Sequence, residues 1–348
     1  MGGSSYARSG VDLAKVRGLH TLLGEELGKT FQNRRRGFGV PLAEIGHYAG
    51  LIDLGDGKAL SLHTDGVGTK VIVAQMMRKF DTVGIDCVAM TVNDLLCVGS
   101  EPVALLDYIA LERENDSLVA ELVRGLVVGA KRSSTTIVGG ETAILKDVIK
   151  GIGGSGFDLA TMGVGVVEKR AIIDGSSIAA GDRLIGIRSS GLHSNGFTLA
   201  RHVLLRRHKL TDHLPELGTT LGEEMMVPTR IYVKPILESL RTCEIHGLAH
   251  LTGGAYSKLR RIVGTKDLSI SLDKPPSAPI FELIGKEGRI SREEMYKTFN
   301  MGVGFCVVSP SSEVDQIISI CRRTRFEAFE LGRVGIGKGV RVDGIRVA

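Results

Sequence analysis

The sequence predicts an α/β protein of two domains, and three observations carry that reading. Its 348 residues suit two domains of ordinary size, each with its own core. Segments with the two-residue period of strands alternate with segments of helical period along most of the chain. The alternation pauses near 168–174 and then restarts, so the domains are expected at 1–170 and 171–348.

Taken in order, Tyr6 to Asp12 is polar and precedes a helical pattern over 13–27. There Gly24-Glu-Glu-Leu-Gly28-Lys29-Thr30 resembles a P-loop. It has three residues between its glycines instead of four, and it follows a helical stretch, so it is rejected. A basic loop, 31–39, leads to a hairpin over 49–64 that turns at Gly55-Asp56-Gly57. Leu60 and Leu62 alternate with Ser61 and His63, and the strand ends at Thr64-Asp65. Gly66 and Gly68 permit a tight turn there, and Lys70 opens a short apolar helix.

The next helix, 82–98, is apolar enough to be buried, yet it carries Asp86, Asn93 and Asp94. Asp86 and Asn93 share a face with Met90 and Cys97. A buried carboxylate needs a cation or hydrogen-bond donors, and Asp86 could find them in neighbouring backbone. A strand after Pro102 and a helix over 115–132 follow, the helix capped by Asp116 or Ser117 with Leu118, Leu122, Leu126 and Val127 on one face. A strand over 133–138 should end at Gly139-Gly140-Glu141-Thr142, exposing backbone N–H groups to a ligand. Gly151 to Gly156 fits GxGxxG, but a strand follows it instead of a helix, so it reads as a flexible loop.

The second half has a strand over 183–188, a loop over 189–196 and a helix over 197–207, which Ser194 or Asn195 could cap. Two hydroxyls, His193, Asn195 and two glycines at a helix N-terminus also suit phosphate. Further on lie a helix over 230–239, the glycine loop Leu248 to Gly254 opening onto a helix, and a strand over 304–309. A helix over 312–323 and a hairpin close the chain; His250 is either a core histidine or a ligand contact.

The chain is 43% apolar and 24% charged, with 46 glycines and a net charge of +5. Five scattered cysteines without CxxC read as reduced cytosolic thiols. The N-terminus lacks the apolar run of a signal peptide, and nothing approaches the roughly 18 apolar residues of a membrane span. Arginine clusters at 34–36, 206–207 and 322–323 come without tryptophan or a nucleic-acid motif, which favours a solvated surface or attraction of small anions over nucleic acid.

If Asp65, Asp94 and Glu141 converge, two carboxylates ~4 Å apart repel by roughly 4 kcal/mol at an effective dielectric of about 20. That is about three pKa units. Either one acid stays protonated or a divalent cation sits among them, and carboxylates completed by phosphate oxygens are how Mg²⁺ is held. The pattern points to a nucleotide enzyme.

These segments resemble the phosphoribosylformylglycinamidine cyclo-ligase (aminoimidazole ribonucleotide synthetase) family. The matching pieces begin with Ser9-Gly-Val-Asp12, Thr64-Asp-Gly-Val-Gly-Thr-Lys70, Asp81 to Asp86, Val92-Asn-Asp94 and Gly139 to Ala143. They continue with His193-Ser-Asn-Gly196, Pro228 to Tyr232, Ala249 to Gly254 and Met295 to Asn300. The resemblance implies two α/β domains, the first pairing with its twin in a homodimer so that strands of both subunits form a shared barrel. It implies ATP-dependent closure of an imidazole ring on formylglycinamidine ribonucleotide, in the cytoplasm, with Mg²⁺. Asp65, Asp94 and Glu141 would be the metal ligands, joined by Asp12. Lys70, Asn93, Thr142 and the backbone at Gly66, Gly139 and Gly140 would hold ATP. Ser190, His193, Ser194 and Asn195 would bind the substrate, and Asp94, His193 and His250 would be catalytic.

The family's acidic, Met-Pro-Gly-type loop after Ala143 is here Ile144-Leu-Lys-Asp-Val-Ile149. Thr161 and Ala255 stand where the family carries glycine. Selenophosphate synthetase and hydrogenase-maturation relatives would need terminal cysteines that this chain lacks. A thiamine-phosphate kinase-like enzyme and a non-catalytic nucleotide-binding regulator are the alternatives.

Overall fold

The computed structural model describes residues 13–348, so Asp12 and the Ser9–Asp12 motif lie outside the described residues. Helix α1 (Leu13–Gly28) precedes the hairpin β1 (Gly50–Gly55) and β2 (Lys58–Gly66), which turns at Asp56 and Gly57, both at positive φ. Two helices, α2 (Lys70–Met77) and α3 (Val83–Leu96), lead to β3 (Glu101–Leu111), α4 (Asp116–Ser133), β4 (Thr136–Ile144) and β5 (Phe157–Glu168). The sheet order is β1-β2-β5-β3-β4, antiparallel except for the parallel β3–β4 pair.

Helices α3 and α4 cover one face of this sheet. They cross closely because Gly84 and Gly125 face each other's helix; a Cβ on Gly125 would come within 2.2 Å of the Asp81 carbonyl oxygen. Every residue of α3 is buried. No helix of the described residues packs substantially on the other face. Leu60, Leu62, Leu106 and Val164 are half-buried there, and Tyr108 and Met162 are 40% and 36% exposed.

The second half opens with β6 (Arg183–Arg188), α5 (Phe197–Leu204), the short pair β7 (His213–Leu214) and β8 (Thr219–Thr220), α6 (Leu221–Met226), α7 (Val233–Thr242) and β9 (Gly247–His250). It continues with α8 (Leu259–Val263), β10 (Leu268–Leu272), α9 (Pro279–Gly288), α10 (Arg292–Thr298), β11 (Val303–Ser309) and α11 (Val314–Arg323). The chain ends in β12 (Ala328–Ile336), β13 (Gly339–Val342) and β14 (Ile345–Arg346). Seven strands form its sheet in the order β14-β13-β10-β12-β6-β11-β9. One apolar cluster runs through both halves. None of the five cysteines is paired, and burial pushes the Cys306 and Cys321 thiols up to about 12.

Several local expectations need correction. Gly139 to Thr142 do not end a strand: they lie inside β4, paired with Leu106 to Ile109 of β3. Neither Ser194 nor Asn195 caps α5; Gly196 does, at φ 75°, with no side-chain bond. Helix α4 is capped by Asn115, whose side chain accepts from the Leu118 N–H. The loop at 151–156 is pinned. The Glu112 carboxylate accepts from the N–H groups of Gly151 and Gly156, Gln75 accepts from Ile152, and Arg113 donates to the carbonyls of Gly153 and Gly154.

Candidate functional site

The site begins where β2 runs under α3. Strand side chains alternate between faces. Thr161, opposite Asp65 on β5, is hydrogen-bonded to Thr91 of α3 at 2.6 Å, so the Asp65 row faces the helix. His63, two residues earlier, shares that face. Asp94 projects from α3 to meet them: one ligand atom from each of His63, Asp65 and Asp94 lies within 4.8 Å of the others. His63 Nε2 is 3.4 Å from Asp94 Oδ2, and His250 Nδ1, at the end of β9, donates to Asp94 Oδ1 at 2.7 Å. Two of the three expected acids therefore converge.

Their electrostatics pull them apart. Burial and the charge of Asp94 raise the Asp65 carboxyl above its usual range. Burial opposes ionisation of Asp94 as well, but its hydrogen bond to His250 and the electrostatic influence of His250, His63 and Lys258 outweigh it and hold this carboxyl low. Lys258, entering from the second half, donates to Thr252 Oγ1 and lies 5.8 Å from the ring of Tyr48. Burial lowers its pKa. Asn195 flanks the same cleft, its side-chain oxygen against Gly253.

Glu141 does not join the acids within one chain. Across the sheet it is in register with Tyr108, Ala160 and Gly66, whereas Asp65 is in register with Thr161, Asp107 and Gly140. A one-residue offset puts a side chain on the opposite face. Three strand spacings of about 4.8 Å add a separation of roughly 14 Å. Gly139, Gly140, Glu141 and Thr142 are all exposed on the edge strand, and Glu141 only accepts from the Thr142 N–H.

Lys70 is not paired with Asp65 or Asp94. It is wholly buried with its Nζ 2.7 Å from Asp86 Oδ2, and it also donates to the carbonyls of His193 and Val227. Thr229 gives Asp86 two more hydrogen bonds, from its N–H and its hydroxyl. This pair joins α2 and α3 to the second half. The expected substrate-binding hydroxyls turn into the same seam: Ser190 donates to the Pro228 carbonyl, and Ser194 pairs with Thr229. Asn93 is a seam residue as well, donating to the Arg230 carbonyl and accepting from the Tyr232 N–H.

His193 is 1% exposed at φ 61°, and its Nε2 accepts from the Ser190 N–H. Burial, then the electrostatic influence of His250, Lys70 and Arg230, hold its pKa well below the ordinary value, so the ring is neutral. His250 is fully buried. Both histidines were expected to be catalytic. In this arrangement His193 supports the loop at 189–196 and His250 orients Asp94.

His63 was legible, because a residue two before Asp65 on a strand shares its face. Lys258 carried no signal. Beside His63 lies a cavity of about 390 Å³ between residues 41–52 and β2, with Tyr48 and His47 on its wall. The Tyr48 hydroxyl and both His47 ring nitrogens are buried without partners among the described residues.

A half-covered sheet, a second α/β sheet packed beside it and an acid pair at the seam define a two-domain fold shared with enzymes of several activities. The AaThiL complex with AMPPCP and TMP superposes with a TM-score of 0.67 at 16% identity, covering 97% of this chain and 96% of that one. Thermotoga maritima PurL complexed with AMPPCP gives 0.56 at 15%, covering 84% and 43%.

Residues 46–167 match the family model for the AIR synthase related protein N-terminal domain, and 179–345 match that for its C-terminal domain. The chain belongs to the AIR synthase related family. Among its relatives, phosphoribosylformylglycinamidine cyclo-ligase of Thermococcus kodakarensis is 47% identical, covering 97% of this chain and 98% of the relative. The protein of that name from Methanobrevibacter smithii is 46% identical over 90% of each.

Proposed function

We propose that the protein is an ATP-dependent ligase that closes the imidazole ring of formylglycinamidine ribonucleotide, giving aminoimidazole ribonucleotide, ADP and phosphate. The observation that carries this is the convergence of Asp65 and Asp94 at the seam of a fold whose relatives at 47% identity bear that name. The two carboxylates are hard oxygen ligands at a spacing that suits Mg²⁺ completed by phosphate oxygens. When bound, the ion neutralises the triphosphate and stabilises charge on the transferring phosphoryl group.

The remaining chemistry belongs to the chain. His250 fixes Asp94 through Nδ1, so the carboxylate presents its other oxygen to the cleft. The purine of ATP enters the cavity beside His63, whose mainly apolar walls include Tyr48 and His47. The formyl oxygen of the substrate attacks the γ-phosphorus, and ADP departs with the electron pair of the broken P–O bond. The substrate nitrogen then bonds to the activated carbon, phosphate leaves with its electron pair, and the nitrogen loses a proton. Asn195 and the Gly253-Gly254 turn line the side of the cleft where this substrate sits.

A homodimer completes the first domain. The exposed apolar face and the edge strand β4, with Val138 65% exposed, are the surfaces a twin covers. The twin's sheet closes the barrel and brings Gly139 to Thr142 into an interface. No helix of the described residues is long and apolar enough to cross a membrane. The reading is tested by supplying formylglycinamidine ribonucleotide and ATP and following ADP by a coupled assay and the aminoimidazole product by its diazo dye. Equal amounts of both are expected; ADP release that ignores the substrate refutes it.

A further inference from the structure

With Lys70 committed to Asp86, the triphosphate lacks the lysine that the TDGVGTK motif suggested. Another lysine faces the cleft. Lys258 ends the 3₁₀ turn Ala255–Lys258, which follows Gly254 and begins at Ala255, at φ 86° and 39°. That turn places its ammonium over Tyr48, 5.8 Å from the ring centroid, with the Arg261 guanidinium at the same distance. Asp65 and Asp94 both feel its charge.

No carboxylate of the described residues lies within 4 Å of the ammonium, which is what separates it from a structural lysine. A lysine kept only to balance the acids would close onto one of them, as Lys70 closes onto Asp86 at 2.7 Å. Lys258 instead gives one N–H to Thr252 and stands over the Tyr48 ring, and its ammonium meets no other hydrogen-bond acceptor of the described residues. An ammonium that acts on two carboxylates without closing onto either suits an anion bridging them. A phosphoryl group has that form, with oxygens to share between a metal ion and an ammonium.

We propose that Lys258 binds the transferring γ-phosphoryl group of ATP. This rests on the ATP reading above. As the formyl oxygen bonds to phosphorus and the bond to the bridging oxygen breaks onto ADP, charge on the three remaining phosphoryl oxygens is met by the lysine's N–H groups. The lysine neither gives nor takes a proton. Its contact is to the γ-group alone, so it distinguishes ATP from ADP.

The test compares Lys258→Met and Lys258→Arg with wild type for Mg²⁺-dependent binding of ADP and of the β,γ-methylene analogue of ATP, by calorimetry, and for kcat. In Lys258→Met the preference for the analogue over ADP is expected to fall by about tenfold, the worth of one charge-assisted hydrogen bond, with ADP affinity nearly unchanged. Its kcat falls about 100-fold, as on loss of one oxyanion donor. Lys258→Arg retains most of the preference. Lys258→Gln, which keeps a donor for Thr252, replaces the Met variant if that one fails to fold. Equal loss of affinity for both nucleotides, or unchanged preference with kcat within about threefold of wild type, overturns the proposal. Wild-type protein that binds neither nucleotide overturns the ATP reading itself.

Discussion

Replacing Lys70 by methionine separates two accounts of the TDGVGTK motif. If the lysine held phosphate, Lys70→Met would fold normally and lose ATP. The geometry argues otherwise: both partners of the Lys70–Asp86 pair are fully buried, and Asp86 would keep only the two hydrogen bonds from Thr229. Removing one member of a buried pair strands a charge and costs about 3–5 kcal/mol. For domains of this size each kcal/mol lowers Tm by about 2–4 °C, so a fall of roughly 6–20 °C is expected. Calorimetry and urea titration measure it. Lys70→Met/Asp86→Asn should be more stable than Lys70→Met alone, because the stranded charge is gone while an amide oxygen still accepts from Thr229. The seam carries the Val227–Tyr232 segment, so loss of activity should follow loss of fold. A Lys70→Met protein as stable as wild type, with ATP affinity reduced more than about tenfold, would refute the reasoning.

Other outcomes follow from the same geometry. Asp94→Asn should keep the fold, since an amide can still pair with His250, and should weaken Mn²⁺ binding followed by water-proton relaxation by at least about tenfold; unchanged binding would make the acids structural. Met162→Glu, on the uncovered face of the first sheet, should shift the sedimentation coefficient from dimer to monomer, and a dimer unaffected by it would place the interface elsewhere. His246 sits between Asp182 at 2.8 Å and Glu244 at 3.0 Å. Burial alone would lower its pKa, but the two hydrogen bonds prevail and raise it. A folded pKa above the unfolded value gives stabilisation that is complete below about pH 6.5 and lost as pH rises through the folded pKa. His246→Gln should flatten the stability profile above that pH, and an unchanged profile would show that His246 does not contribute.

Much of the fold was legible because strand and helix periods are local. The hairpin at 50–66 turns where Gly55-Asp56-Gly57 requires positive φ, and α3 is buried as its apolar run implies. The meeting of Asp65 with Asp94 could be anticipated from the cost of burying an acid in α3. What failed was non-local. The glycines at 139–140 read as a strand end, but β3 supplies a ladder that carries β4 through them. Glu141 was grouped with the other acids by motif alone, and strand register puts it on the opposite face. Lys70 followed a glycine turn and so read as a phosphate lysine, because nothing nearby in the sequence says that Asp86, on the next helix, lies 2.7 Å away. Lys258 was invisible because its position depends on the docking of two halves more than 150 residues apart.

The most direct measurement is a crystal structure with Mn²⁺ and the β,γ-methylene analogue of ATP, read by the anomalous signal of manganese. The account predicts a peak at coordination distance, about 2.1–2.2 Å, from carboxylate oxygens of both Asp65 and Asp94, with phosphate oxygens completing the shell. A nucleotide bound elsewhere, or manganese that leaves both acids without a metal, would contradict it.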